Sequence, residues 1–548
     1  MGVTRLRRLI VLAVPAFGAA LLAAGSEQPR ARTSLPEDTD TTAFNVSFLA
    51  NALDFVDPAL AYSGESWSLL DTTCARLMNN PDKPPPEGFR LVPEVAAAYP
   101  RVSNGAKTYT FMIRSGFRFS DGTPVRASAF AHAINRLLAP GIESVGTQFV
   151  ENIIGARAVR AGKSATAAGV VADRNRLVVR FTRPVPDFPA QTTMPFFCAV
   201  PPKLPSDPEG VGAFPGSGPY YISTYVRGKR VVLERNRFYR GARPHHVERF
   251  DVDLTAGTPH EVLQRIERGQ ADWGSVDPPF YFDPAQGLAG KYGVNRSQFH
   301  VTPGLIFRGY ALNVSRPLFR NNLALRRAVN FAVDRPALIR LGGLGSALSG
   351  RPTDQYLPAT MPGFQDAHIY PLAGPDLPKA RALARGHTRG GRAVLGTFNV
   401  PPQLAAAQVV KRNLEKIGLE VRVKGLPPQA FFREAAAPDA PFDIALIMWA
   451  ADYVDPYDFE NVLLDSRFMG STNISHFDSP TYDALLRRAA LLQGDARYRA
   501  YGRIDVRLAR DAAPMIGVAN GTWPTLVSRR VSCIVLRPVL DLTAVCLK

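Results

Sequence analysis

The chain has 548 residues, 46% hydrophobic and 20% charged, which excludes wholesale disorder and a fibrous architecture. The length suits three or four domains, or two large lobes. Lys and Arg outnumber Asp and Glu by 65 to 47, a formal net charge of +18, but the basic residues are scattered and no zinc-finger spacing, basic zipper or RNP-type motif accompanies them. They read as a solvated surface, and no nucleic-acid partner is expected.

Arg5, Arg7 and Arg8 precede an apolar run from Leu9 to Ala24, closed by the small residues Ala23, Ala24 and Gly25. These are the parts of a secretory signal. The run contains Pro15 and Gly18 and falls short of the ~20 apolar residues of a spanning helix, so cleavage after Gly25 is expected; a retained anchor is the alternative. Cleavage leaves 523 residues and removes three Arg, lowering the charge to +15. Leu22-Ala23-Ala24 looks like the approach to a lipoprotein cleavage site, but that chemistry needs a Cys thiol where Gly25 stands, so no lipid anchor is expected there. Residues 26–42 are polar with two Pro and read as a flexible tether.

Beyond the tether, Thr108–Arg114 alternates with Tyr109, Phe111 and Ile113 on one side, a half-buried strand. Ser120-Asp121-Gly122-Thr123-Pro124 is a turn. Arg126–Leu138 carries Phe130, Ala133, Ile134, Leu137 and Leu138 at helical spacing. Arg176–Phe181 alternates again. Tyr220–Val226 and Arg230–Glu234 flank an Arg-Gly-Lys turn and predict a hairpin. From about residue 303 the rhythm changes. Ala393–Asn399, a helix over Gln403–Ile417 stopped by Gly418, and Leu419–Val423 make a βαβ unit, hence a parallel sheet. Phe442–Met448 is a buried strand, and Ser479-Pro480 opens a helix whose inner face is Tyr482, Leu485, Leu486 and Ala489. The last 30 residues are strand-like again.

Export places the four cysteines, Cys74, Cys198, Cys533 and Cys546, in an oxidising compartment. Three pairings are open. The closeness of Cys533 and Cys546, with Pro538 between them, favours that pair and leaves Cys74 with Cys198; other pairings or free thiols are the alternatives. None has a Cys or His at metal-ligand spacing, and His245-His246 reads as surface, so no metal is expected. His-Glu-x-x-His, Gly-x-Ser-x-Gly and a phosphate loop are all missing.

Several segments, in order, resemble the solute-binding proteins of bacterial ABC importers, in the oligopeptide and nickel-binding family. They are Leu91–Ala97 with Lys107–Arg114 and Gly116–Val125; Gly216-Ser217-Gly218-Pro219-Tyr220-Tyr221 with Leu233–Asn236; Leu312–Phe319 through Ala328–Arg335; Tyr356-Leu357-Pro358 with Met361-Pro362-Gly363; and Phe442–Ala445 with Trp449-Ala450-Ala451-Asp452-Tyr453-Val454-Asp455-Pro456. The resemblance implies an α/β, two-lobed clamshell. Residues 43–302 form the first lobe with an extra subdomain at about 55–200, 303–512 the second lobe, and 513–548 a return to the first. It implies a receptor, not an enzyme, that captures oligopeptides or similar amine-bearing solutes and delivers them to the permease subunits. It needs no cofactor and works as a monomer in the periplasm or at the outer face of the cell membrane. A clamshell sensor or structural envelope protein without transport is the alternative, with a secreted hydrolase behind it.

The resemblance also places the site. Asp452 matches the position that pairs with a ligand's α-amino group, a charge-assisted bond that strengthens once water is excluded; a turn or structural role is the plainer reading. Trp449 and Tyr453 either wall the pocket or pack in the core. Asn313 either touches ligand or pins a turn, and the turn is favoured. Asp455-Pro456 reads as a turn. Leu446 stands where some peptide binders hold an Arg for the ligand carboxylate, so that recognition is missing here.

Overall fold

Alternating apolar side chains build the first sheet. Phe44, Val46 and Phe48 of the strand Ala43–Leu49 meet Phe250, Val252 and Leu254 of Arg249–Ala256 in one core. The computed structural model describes residues 42–275, 287–341, 350–537 and 540–548; the signal segment with Gly25, all of the tether before Thr42, and Pro538 lie outside the described residues. The strand order is Trp273–Gly274, Ala43–Leu49, Arg249–Ala256, Arg230–Arg235, Tyr220–Val226. The last two form the predicted antiparallel hairpin. Its turn needs a left-handed residue, and Gly228 supplies it at φ +67°.

A four-stranded antiparallel sheet, Arg101–Ser103, Thr108–Met112, Arg176–Arg180 and Val170–Asp173, forms the extra subdomain. Tyr109, Phe111, Leu177 and Val179 pack against Phe130, Ile134 and Leu137 of the helix Ala127–Leu137. In the turn before that helix, Asp121 Oδ1 accepts the Thr123 N–H at 2.9 Å.

The third sheet runs Gly350–Pro352, Met515–Leu526, Phe299–Leu312, Ile444–Ala450, Arg392–Phe398, Glu420–Leu426. The last two strands are parallel and joined by the helix Pro401–Glu415, as the βαβ pattern required. The helix starts two residues before its expected position because Pro401 and Pro402 suit a first turn, where no N–H is needed. The expected strand at 442–448 forms two residues later, at Ile444–Ala450. Asp443 is committed to the entrance, where it accepts the Val394 N–H at 2.9 Å and Arg316 Nε at 2.7 Å. Ser479 occupies the N-cap of the helix Pro480–Ala490 without a side-chain cap bond, so the first-turn proline carries that start.

Two long antiparallel strands, Phe299–Leu312 and Met515–Leu526, run from one lobe into the other. Phe299 and Leu526 pack with Ala256, Val262 and Ile266 near the first sheet, while Leu312 and Met515 lie in the core of the third. Their register shifts between Pro303 and Phe307. Beyond this crossing Val527, Leu540, Leu542 and Val545 rejoin the first core.

Both favoured disulfides are formed, Cys74–Cys198 and Cys533–Cys546. One expectation needs correction. The Arg residues are not all surface: Arg76, Arg136, Arg243, Arg335, Arg497 and Arg537 are buried. Their planar donors find carboxylates and carbonyls inside the protein. Arg537 reaches Asp541 at 2.8 Å and Asp71 at 3.2 Å, and Arg243 reaches the same Asp71 at 2.9 Å, so the C-terminal return is tied to the helix Gly64–Thr73. His245 and His246 lie in a loop, with His245 Nδ1 3.0 Å from the Arg243 carbonyl. Among the described residues no helix is long and apolar enough to cross a membrane.

Candidate functional site

The strand Ile444–Ala450 delivers its last residues to the junction of the second lobe with the first. Trp449 faces Phe307 across the strand pair and is 8% exposed. The chain then leaves the sheet through Ala451–Pro456 and starts the helix Tyr457–Leu464. The turn is fixed by Asp455, whose Oδ1 accepts the Tyr457 N–H at 2.8 Å and Arg497 Nη2 at 2.7 Å while Oδ2 takes Arg497 Nε at 2.9 Å. Asp455 is therefore a turn and ion-pair residue.

Asp452 sits half-buried on this turn. Its Oδ1 accepts the Tyr62 hydroxyl at 2.7 Å, across the lobes, and its own N–H donates to Asp458 Oδ2 at 3.0 Å. Burial pushes the Asp452 carboxyl above the ordinary carboxylate range, with the Tyr62 bond pulling the other way. Asp458 is pushed up further, by burial first and by the charge of Asp452 second. The Trp449 indole N–H lies close enough to favour the Asp458 charge yet has no hydrogen-bond partner of ordinary geometry.

Tyr453 crosses to the subdomain. Its hydroxyl donates to Asp187 Oδ2 at 2.5 Å, and its ring meets Phe149 edge-on at 6.3 Å. Gln191 Nε2 donates to the same oxygen at 2.7 Å, and burial raises the Asp187 carboxyl. Asp452, Trp449 and Tyr453 are thus brought together. Asn313 is not with them: its amide donates to the Phe442 carbonyl at 3.3 Å, and its Oδ1 accepts Ser315 N–H at 3.1 Å and Ser315 Oγ at 2.7 Å. Its described side-chain bonds go to the Ser315 turn and to the Phe442 carbonyl. Leu446 is buried across from Tyr310.

Sequence reasoning missed Tyr62, Asp187 and Asp458. Asp458 carried a weak signal, since it lies six residues after Asp452, in the first turn of the helix Tyr457–Leu464. Tyr62 lies 390 residues from its partner and Asp187 266 from its own, and neither carried any. Among the described residues no cluster of His, Cys, Asp or Glu has the arrangement of a metal site.

The description "Bacterial extracellular solute-binding proteins, family 5 Middle" belongs to a family model that matches residues 90–471. The chain belongs to family 5 of the bacterial extracellular solute-binding proteins. Its relatives in the family include the oligopeptide-binding protein OppA of Bacillus subtilis, 24% identical over 485 residues, which cover 85% of this chain and 83% of that one. The periplasmic oligopeptide-binding protein OppA of Escherichia coli is 25% identical over 435 residues, 74% of this chain and 76% of that one. Among solved family structures, a clavulanic acid biosynthesis oligopeptide binding protein superposes with a TM-score of 0.77 at 25% identity, covering 92% of this chain and 96% of its own. The family 5 fold is the two-lobed α/β clamshell with its added subdomain, and a family 5 member acts as an exported solute-binding receptor of the ABC-importer type.

Proposed function

We propose that this protein captures oligopeptides or similar amine-bearing solutes between its lobes and delivers them to the permease subunits of an ABC importer. It does so as a monomer, without catalysis, in the periplasm or at the outer face of the membrane, with no lipid at Gly25. In this reading the first lobe spans 43–302, with its subdomain at about 55–200. The second spans 303–512, and the return from 513 runs along Met515–Leu526 into the first lobe. Asp452 carries the reading: a carboxylate at the lobe junction, on the turn after Trp449, with only the Tyr62 hydroxyl on its described side-chain oxygens. Trp449 and Tyr453 support it as apolar and aromatic walls.

Native mass spectrometry of the purified protein identifies the solute that stays bound, and a peptide or other amine is the expected mass. Asp452→Asn is expected to weaken binding of that solute by more than tenfold, because losing a charge-assisted bond costs about 1.5–3 kcal/mol. Unchanged affinity by calorimetry removes the assignment. The ionised carboxylate is the form that grips an ammonium, and burial raises the Asp452 pKa. Affinity is therefore expected to strengthen as pH rises out of the ordinary carboxylate range toward neutrality. A flat calorimetric profile over that interval contradicts the role of Asp452.

A further inference from the structure

We infer that the outward face of the subdomain sheet is a docking surface for anionic phospholipid, which holds the exported chain against the membrane. The inference goes beyond solute capture and does not depend on it. Thirteen of the 65 Lys and Arg residues fall between residues 101 and 185, with only four of the 47 Asp and Glu, so this one segment carries half of the net charge of +18. Such segregation marks a partner of opposite charge. Arg136 is buried against Asp57, and the other twelve cations are exposed. Arg176 has Asp173 at 3.7 Å; among the described residues none of the remaining eleven has a carboxylate partner. Elsewhere on the first lobe surface Arg residues are matched, Arg230 by Asp251 and Arg235 by Glu248 at 3.0 Å.

The strand register gathers these charges. Residues opposite one another across a strand pair share a face. Arg101 is opposite Thr110, Thr108 opposite Arg180, and Met112 opposite Arg176. The alternate residues Tyr109, Phe111, Leu177 and Val179 face the helix Ala127–Leu137. The outward face therefore holds Arg101, Arg176 and Arg180 around two threonines, with Met112 52% exposed and Val171, opposite Val178, 37% exposed. More cations flank its ends. The Phe181 N–H, bonded to the Lys107 carbonyl at 2.8 Å, sets Lys107 beside the strand end that leads to Arg183. The Ile113 N–H, bonded to the Asn175 carbonyl at 2.7 Å, sets Arg114 beside Arg174. A sheet face is a broad surface, not a groove, and a headgroup layer spreads its phosphates over two dimensions. Guanidinium groups match phosphate oxygens, and two apolar side chains among them suit the boundary between headgroups and acyl chains.

The test is co-sedimentation of the chain from Ser26, which lacks the apolar run Leu9–Ala24, with vesicles of phosphatidylcholine alone or mixed with phosphatidylglycerol in equal parts. Partitioning onto the mixed vesicles is expected to be stronger by about tenfold or more at low salt, and to be lost at about 1 M salt, where the screening length is about 3 Å. Arg101→Gln, Arg176→Gln and Arg180→Gln together are expected to lower it by about tenfold or more. Arg412→Gln, Arg422→Gln and Arg433→Gln together, at exposed positions of the second lobe, are expected to leave it unchanged. Equal partitioning onto the two kinds of vesicle, or equal losses in the two triple variants, overturns the inference. Capture by immobilised polyglutamate with no partitioning onto either vesicle overturns it in favour of an acidic protein partner. The unmodified chain gives a second reading that needs no variant. Peroxide oxidation of Met112, followed by mass spectrometry, is expected to slow on the mixed vesicles while that of Met469, 41% exposed on the second lobe, keeps its rate. An unchanged Met112 rate on vesicles that hold the chain overturns this face as the docking surface.

Discussion

Replacing both Cys74 and Cys198 by Ala is expected to cost up to about 5 kcal/mol of stability, the chain-entropy value for a loop of this length. The bond joins residues 124 apart in sequence, whereas Cys533–Cys546 joins residues 13 apart, for which the same relation gives about 3 kcal/mol. Cys74 follows the helix Gly64–Thr73, and Cys198 follows the short turn Pro195–Phe197 at the end of the subdomain. The bridge therefore closes the chain between residues 74 and 198 into one loop that holds the four-stranded sheet and its helix. It is walled by Ala61, Leu70, Ala133, Val200 and Leu204, so Ala is the apolar replacement and Ser would add buried hydroxyls. The connection beside it survives in the variant: Ala199 N–H donates to the Ala75 carbonyl at 3.0 Å, and Ser217 Oγ bridges Ala75 N–H and the Ala199 carbonyl at 3.0 and 2.9 Å. The variant is thus expected to fold and to unfold at lower denaturant concentration. A smaller loss for Cys74/Cys198 than for Cys533/Cys546, measured in guanidinium, contradicts the loop-length argument.

Elements defined by local alternation were legible in the sequence within two or three residues at their ends. Tyr109, Phe111 and Ile113 on one side, and Phe130, Ile134 and Leu137 at helical spacing, need only the strand and helix periods to be read. Ile444–Ala450 was misplaced by two because Phe442 extends the apolar run while Asp443 holds the neighbouring strand's entrance. The buried Arg residues were illegible for a related reason. An Arg looks alike on a surface and in a core, and only its distant partner, as Asp71 is for Arg537, distinguishes them. The site was half legible. Asp452, Trp449 and Tyr453 lie in one short segment, so a local resemblance found them together. The groups that decide their chemistry, Tyr62 and Asp187, come from the first lobe and its subdomain, and meet them only through the fold.

Asp57→Ala is expected to cost about 3–5 kcal/mol and to weaken ligand binding as well. Arg136, in the last turn of the helix Ala127–Leu137, donates Nη1 to Asp57 Oδ1 at 2.8 Å and Nη2 to Oδ2 at 2.6 Å, with side-chain exposures of 1% and 0%. Removing the carboxylate leaves a buried guanidinium with only the Pro205 carbonyl among its described acceptors, which is the costly way to break such a pair. Asp57 also accepts the Ala59 N–H at 2.9 Å and the Val211 N–H at 3.0 Å. Asp57→Asn combined with Arg136→Met keeps one of those two acceptor oxygens and removes the stranded charge, so it is expected to lose less than Asp57→Ala alone. The binding effect follows from position. Residues 54–63 form one loop in which Asp54 accepts the Tyr62 N–H at 2.7 Å and the Ser63 N–H at 2.9 Å, and Asp57 anchors its middle. That loop holds the Tyr62 hydroxyl against Asp452. Loosening it frees the Asp452 carboxylate from its donor and lets it leave the geometry on which the proposed amine contact depends. The two effects separate in measurement: denaturant unfolding reads the ion pair, and calorimetry well below the transition reads the loop. A stability within 1 kcal/mol of the unmodified chain sinks the first claim. Unchanged affinity in a destabilised variant sinks the second, and leaves Tyr62 a bystander at the lobe junction.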